Sequence, residues 1–259
     1  MSEMLKDKRI LITGAAAGIG LGIARACANA GASLIVADIN YDRLVENTRP
    51  LAEEDRVFAT ILDVSRRQHV REFFADLANR FERIDGVVNN AGITLENDFF
   101  DFSEEELERL WTTNLRSVFY VSQQAARFMK ESGGGSILNI ASNHAVAGIP
   151  GYEMYAATKG GVVAMTKAMC WSLGPHGIRV NTLCPGLTHT EEVARIAAAN
   201  PELAASFGAM HASGRYATVD EIGEVAAFLL SDQAAAITGA EIVADHGLSA
   251  LLCRSEDIK

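Results

Sequence analysis

Short runs of apolar, often β-branched residues recur along the 259-residue chain: RILIT, SLIVAD, RVFATILD, GVVNN, SILNIAS, RVNTLCPG and AEIVAD. Longer segments of helical period lie between them. After Ser65, with Gln68 three residues on as a capping box, Val70, Phe73, Phe74, Leu77, Ala78 and Phe81 fall on one helix face. Ser103 with Glu106 and Thr218 with Glu221 repeat the cap signal. Strands that alternate with helices predict an α/β protein whose parallel sheet is covered by helices on both faces.

No internal repeat, low-complexity tract or Pro/Gly/Ser linker divides the pattern, so one domain over residues 1–259 is expected. The least strand-like part is about 187–215. It follows a strand end, and its Ala-rich helical pieces are broken by Asn200-Pro201 and Gly208. A segment there would cover the strand ends, where open α/β sheets bind ligands, so it is expected to form a substrate lid.

Charge and composition narrow what such a sheet could serve. A net charge of −10 and a pI near 5.1 offer no basic footprint for nucleic acid or an anionic membrane surface. Cys27, Cys170, Cys184 and Cys253 are scattered without a C-x-x-C pair, and the six histidines lack H-x-x-x-H spacing. Neither a disulfide framework nor a metal site is expected. The opening MSEMLKDKRILITG lacks the apolar core of a signal peptide, and the longest uncharged stretch, about 132–152, is rich in Gly, Ser, Asn and Pro. These features predict a soluble, cytoplasmic protein.

ILITGAAAGIGLGIA sets Gly14, Gly18 and Gly20 between a strand and a helix, a context in which backbone N–H groups can approach a pyrophosphate. Tight turns and close packing use glycine as well. The next strand ends at Asp38, whose carboxylate can accept from the adenosine ribose hydroxyls and would repel a 2′-phosphate. No Arg or Lys lies within Ala15-Ala16-Ala17 or beside Asp38, which favours NAD over NADP. Asp38 could also simply cap the following helix. Asp63, closing the third strand before Val64, could meet the adenine amino group or only end its strand.

In YEMYAATKGG, Tyr155 and Lys159 are four apart and share a helix face, whereas Tyr152 has Ala156 at that spacing. A phenol has a pKa of about 10, and bringing one to neutrality takes roughly 4 kcal/mol of differential stabilisation. A fixed ammonium in a site drained of water supplies that order of energy, so Tyr155 becomes a candidate general acid or base. Ser142 ends the strand SILNIAS thirteen positions earlier, on the ligand edge. Its hydroxyl could donate to a carbonyl oxygen, or serve only as a cap.

Taken together, TGAAAGIG, Asp38, NNAG at 89–92, Asn114 in TTNLRSVF, Ser142, YAATK and Pro185-Gly186 resemble the short-chain dehydrogenase/reductase family, in order, over about residues 6–250. The resemblance implies a Rossmann-type doubly wound sheet. It makes Tyr155 the proton donor or acceptor, Ser142 the orienting hydroxyl, and Lys159 the group that lowers the tyrosine pKa and holds the nicotinamide ribose. Asn114 would hold a water that relays protons from Lys159. Gly14, Gly18, Ile19, Gly20, Asp38, Asp63 and Val64 would bind the adenosine and pyrophosphate side. Asn90, Ala91 and Gly92 would border the riboses and stabilise the central sheet. Pro185, Gly186 and Thr188 would line the nicotinamide, and Thr190 would contact the carboxamide or the phosphates. One departure is His246, in VADHGLSA, where the family commonly has glycine; it bears on a subunit contact or the pocket rim.

The helix from Tyr152 to about Trp171 is small and apolar on more than one face, which suggests a second subunit, and the resemblance makes the assembly a homotetramer. Asn143, His144, Val146, Met154, Ile93, Leu95, Leu187 and His189 are expected to line the substrate pocket. Three polar side chains among them favour a small polyol, sugar or hydroxy acid over a steroid. Two other readings compete. A 3-oxoacyl carrier protein reductase would usually carry an arginine where His176 stands, before Gly177. A non-catalytic dinucleotide-binding regulator could share the fold but would have no use for a proton relay.

Overall fold

The computed structural model describes residues 3–51 and 56–252; Cys253 lies outside them. Seven strands form a wholly parallel sheet in the order β3-β2-β1-β4-β5-β6-β9. They are β1 (Arg9–Thr13), β2 (Ser33–Asp38), β3 (Val57–Ile61), β4 (Gly86–Asn89), β5 (Gly135–Ile140), β6 (Ile178–Pro185) and β9 (Glu241–Ala244). Each expected apolar run supplies one of them. A separate short pair joins β7 (Thr188–His189) to β8 (Ala217–Thr218).

Alternation along the strands feeds two cores. Ile10 and Ile12 pack with α1 (Gly18–Asn29) and α9 (Val219–Leu230) on one face. Leu11 packs with α3 (Arg67–Arg80) and α5 (Ser117–Glu131) on the other. Burial on both faces is why the strands read as continuous apolar runs rather than as polar alternation. β1 pairs with β2 on one side and β4 on the other, so the direction of winding reverses there. A crevice opens beyond the carboxyl ends of such strands.

Two of the three expected capping boxes form, at Ser103–Glu106 before α4 (Glu104–Leu110) and Thr218–Glu221 before α9. The third does not. α3 begins after Arg66 without a side-chain cap, the Ser65 hydroxyl donates instead to Asp63 Oδ1 at 2.6 Å, and Gln68 bonds Glu72 at 2.7 Å. A carboxylate two residues upstream has captured the hydroxyl that would have capped the helix. Val70, Phe73, Phe74 and Leu77 are buried as expected, but Ala78 is exposed and Phe81 lies just past the helix end.

Between α4 and α5, Trp111–Arg116 forms a π-helical turn that contains Asn114. Nothing in the hydrophobic pattern announces it. α6 spans Glu153–Leu173 with Tyr152 at its N-cap, and α2 spans Tyr41–Thr48. Within 187–215, α7 (Glu191–Ala199) and α8 (Pro201–Ala209) are separated where Asn200 caps the helix begun by Pro201. Gly208 does not break α8, which runs through it to Ala209. Among the described residues, no helix is long and apolar enough to cross a membrane, and no three potential metal ligands cluster.

Candidate active site

The ends of β1 and β4 are knotted together at the crevice. Thr13 Oγ1 accepts from the N–H groups of Asn90 (3.1 Å) and Ala91 (3.2 Å) and donates to Val88 O (3.2 Å). Asn90 Nδ2 in turn donates to the carbonyls of Thr13 and Gly14, each at 3.0 Å. Gly14 takes the left-handed region at φ +66°, and a methyl on Gly20 would lie 2.1 Å from the Gly14 carbonyl oxygen. Only glycine fits there.

α1 starts after Ala17 with no side-chain cap and no acidic residue in its first turn. Its first-turn N–H groups, including those of Gly18 and Ile19, and the positive end of its dipole are left for an anion, so the turn fits a dinucleotide pyrophosphate. Thr190 stands over it: a methyl on Gly18 would come within 3.4 Å of Thr190 Cγ2. Thr190 also caps α7 by accepting from Val193 N–H at 3.3 Å.

Asp38 is not the cap of α2; Asn40 is. The Asp38 carboxylate accepts from Ala16 N–H at 3.0 Å and Asn40 N–H at 2.9 Å, which fixes it beside the glycine turn. Asn47 of α2 reaches the same turn, donating to Ala16 O at 2.8 Å. Asp63 Oδ1 accepts from the Ser65 backbone at 3.0 Å, and Val64 is buried in the core. Pro185 ends β6 beside Ala244, and a methyl on Gly186 would lie 2.6 Å from Asp245 Cβ. Thr188, buried, donates to Gly186 O at 3.0 Å.

The catalytic candidates converge. Lys159, only 5% exposed, donates to Ile140 O at 2.9 Å, two residues before Ser142, and its Nζ is 5.7 Å from the Tyr155 ring centroid. One ammonium therefore ties the α6 tyrosine to the strand end that presents the serine. Asn114, 1% exposed, accepts from Ile93 N–H and donates to Ile93 O, both at 2.8 Å. A methyl on Gly92 would sit 3.2 Å from Asn114 Oδ1 and 3.6 Å from Lys159 Nζ, so this glycine lets all three elements meet.

His144 links the pocket candidates. Its ring lies 5.0 Å from that of Tyr152 and 5.4 Å from that of Tyr155, and its backbone N–H donates to Ser142 Oγ at 3.2 Å. Burial lowers its pKa and favours the neutral imidazole. Asn143 is buried and accepts from Ser142 Oγ at 3.3 Å. Ile93, Leu95, Met154 and Leu187 are half-buried, and Val146 is exposed. His189 stacks on Tyr216 at 5.8 Å, and Tyr216 also meets Phe207 and His211. His246, at φ +53°, bonds Ser213 of the 187–215 segment through Nδ1 at 2.9 Å and approaches Glu221 at 3.6 Å.

The sequence reading expects Tyr152 at the pocket entrance but misses three contributors, Thr13, the Arg43–Glu191 pair and Glu96. Thr13 immediately precedes the glycine turn, the one signal that could have marked it. Arg43, in the first turn of α2, meets Glu191 of α7 at 2.5 Å. Tyr152 Oη donates to Glu96 Oε2 at 2.7 Å, and burial together with that carboxylate pushes the phenol up to about 12.

Residues 14–249 match the family model described as Enoyl-(Acyl carrier protein) reductase. The chain is 36% identical over 247 residues to a 3-oxoacyl-(acyl-carrier-protein) reductase of Thermotoga maritima, covering 94% of this chain and 98% of the relative. Levodione reductase of Leifsonia aquatica is 36% identical over 256 residues, covering 94% and 95%. A gluconate 5-dehydrogenase from Burkholderia cenocepacia, solved in complex with NADP and tartrate, superposes with a TM-score of 0.90 at 33% identity, covering 96% and 97%. The chain belongs to the short-chain dehydrogenase/reductase family, oxidoreductases of alcohols and ketones that bind a nicotinamide dinucleotide.

Proposed function

We propose that the protein is an NAD-dependent oxidoreductase that interconverts a small secondary alcohol and its ketone, with Tyr155 as general acid/base. The observation that carries this reading is Lys159: one buried ammonium bonded to Ile140 O beside Ser142 and facing the Tyr155 ring. A bound nicotinamide supplies C4 as hydride acceptor or donor. In the oxidative direction the deprotonated Tyr155 Oη takes the hydroxyl proton of the substrate as the carbinol hydrogen leaves as hydride with both electrons of its C–H bond. Lys159 stabilises the Tyr155 phenolate that accepts this proton and becomes the neutral phenol, and Ser142 Oγ donates to the substrate oxygen. Asn114 holds the Ile93 backbone, and the π-helical turn around it belongs to a class of distortion frequent at functional sites. Proton relay from Lys159 through water at Asn114 is part of the proposal.

Asp38 supports NAD, since its carboxylate would repel a 2′-phosphate. Gly14, Gly18, Ile19, Gly20, Asn90, Ala91, Gly92, Pro185, Gly186, Thr188 and Thr190 complete the cofactor cradle, with Asp63 and Val64 at the adenine end. Residues 187–215 serve as the lid of a single domain, and the small outer face of α6 packs against a second copy in a homotetramer, in the cytoplasm. Candidate substrates are polyols, sugars or hydroxy acids, a range that the gluconate 5-dehydrogenase neighbour favours. The second reading, reduction of 3-oxoacyl groups on a carrier protein, draws on the Thermotoga relative, but an acidic carrier suits neither His176 nor a net charge of −10.

Tyr155→Phe tests the assignment. It should lower kcat by about a thousandfold while leaving NADH binding, read by fluorescence titration, nearly unchanged. A fully active variant would remove the tyrosine from proton transfer.

A further inference from the structure

Three segments frame the substrate mouth: 93–101 after β4, 143–154 between β5 and α6, and 187–215. Together they carry seven carboxylates and only two arginines. Both arginines are already engaged. Arg195 pairs with Glu192 at 2.5 Å, and Arg215 holds Glu221 through contacts of 2.9 and 2.5 Å. Lys159 is buried against Ile140.

Among the carboxylates, Glu96 is fixed in place. Its Oε2 accepts from Tyr152 Oη, and Asn97 N–H donates to Gly151 O at 3.1 Å, joining the first two segments across the mouth. Three residues upstream, Asn114 grips both polar groups of the Ile93 backbone. The Tyr152 ring that holds Glu96 stands 6.4 Å from the Tyr155 ring and 5.0 Å from His144. Exposed apolar side chains share this rim, among them Phe99, Phe100, Val146 and Ile149.

We propose that Glu96 makes this mouth select uncharged substrates, a neutral secondary alcohol or its ketone, and reject those that carry a carboxylate or phosphate. The inference rests on the oxidoreductase reading and narrows it: hydroxy acids and acidic carrier proteins drop out, and neutral alcohols remain. An anion entering here gives up hydration, meets an anchored negative charge, and finds the arginines of the framing segments already occupied. A neutral alcohol incurs neither penalty. Rejection by an unfavourable charge is a common route to specificity.

Matched pairs with one carbon skeleton test this, for example 3-hydroxybutanoate against 3-hydroxybutanamide and 4-hydroxycyclohexanecarboxylate against its carboxamide. In wild type at low salt the neutral member should have a kcat/KM at least about tenfold higher. The ratio should shrink several-fold in Glu96→Gln, and in wild type as salt rises, because screening weakens a charge effect but not a steric one. Equal use of carboxylates and carboxamides by wild type, or a ratio unmoved by both Glu96→Gln and salt, would overturn the selection by Glu96 while leaving the oxidoreductase reading intact. Reduction of neither NAD nor NADP by any member would remove both.

Discussion

The two sides of the crevice are built by different means. On the cofactor side, the Thr13 and Asn90 side chains bond directly to the backbone around Gly14, and the tolerances are those of a packed core: a methyl at Gly20 has nowhere to go. On the substrate side, α7 buries no residue at all and α8 buries only Phe207, while the segments are held by side-chain contacts such as Tyr152–Glu96 and His246–Ser213. A family can therefore keep one cofactor while exchanging substrates. Changes on the second side disturb few buried contacts, whereas changes on the first disturb the sheet itself.

Substitutions on each side put a scale on that contrast. Gly20→Ala should be the most damaging, costing about 3 kcal/mol of stability by overpacking and abolishing NADH binding, as read by thermal melting and fluorescence titration. A variant that melts and binds like wild type would mean the turn is looser than its geometry indicates. Asp38→Ala keeps the fold but removes the charge that opposes a 2′-phosphate; the kcat/KM ratio of NADP to NAD should rise about tenfold or more. No change would detach cofactor choice from Asp38.

The smallest effect belongs to the anchor of the substrate side. Thr218→Ala removes one half of the α9 capping box and should cost about 1 kcal/mol. Its partner Glu221 is held well below the usual carboxylate range, first by the Arg215 side chain and then by the Thr218 backbone. A carboxyl depressed in the fold contributes stability above its unfolded pKa, near 4.5, and loses it as pH falls further. Wild type should thus lose more stability than Glu221→Gln below about that pH in chemical denaturation. Parallel curves would rule out the contribution.

The same contrast explains what the sequence made legible. The glycine turn could be read because its backbone geometry admits one residue type, and the Tyr155–Lys159 pair because helical spacing is fixed. The five inner strands were visible because burial on both faces forces continuous apolar runs, and the edge strands β3 and β9, only half-buried, keep enough apolar residues to be read with them. The capping box at Ser65 misled because local spacing cannot reveal that Asp63 competes for the same hydroxyl. Arg43–Glu191 and Tyr152–Glu96 join residues 148 and 56 positions apart, and no local pattern encodes such a meeting. The π-helical turn at Asn114 is likewise set by packing between α4, α5 and the segment after β4, not by propensity.

The most direct measurement of the central claim follows a label. A neutral secondary alcohol deuterated at its carbinol carbon is incubated with the enzyme and NAD, and the reduced cofactor is analysed by mass spectrometry. Direct hydride transfer predicts deuterium at C4 of the NADH formed, one atom for each ketone produced. NADH without the label, or ketone formed with no reduced cofactor, would contradict it.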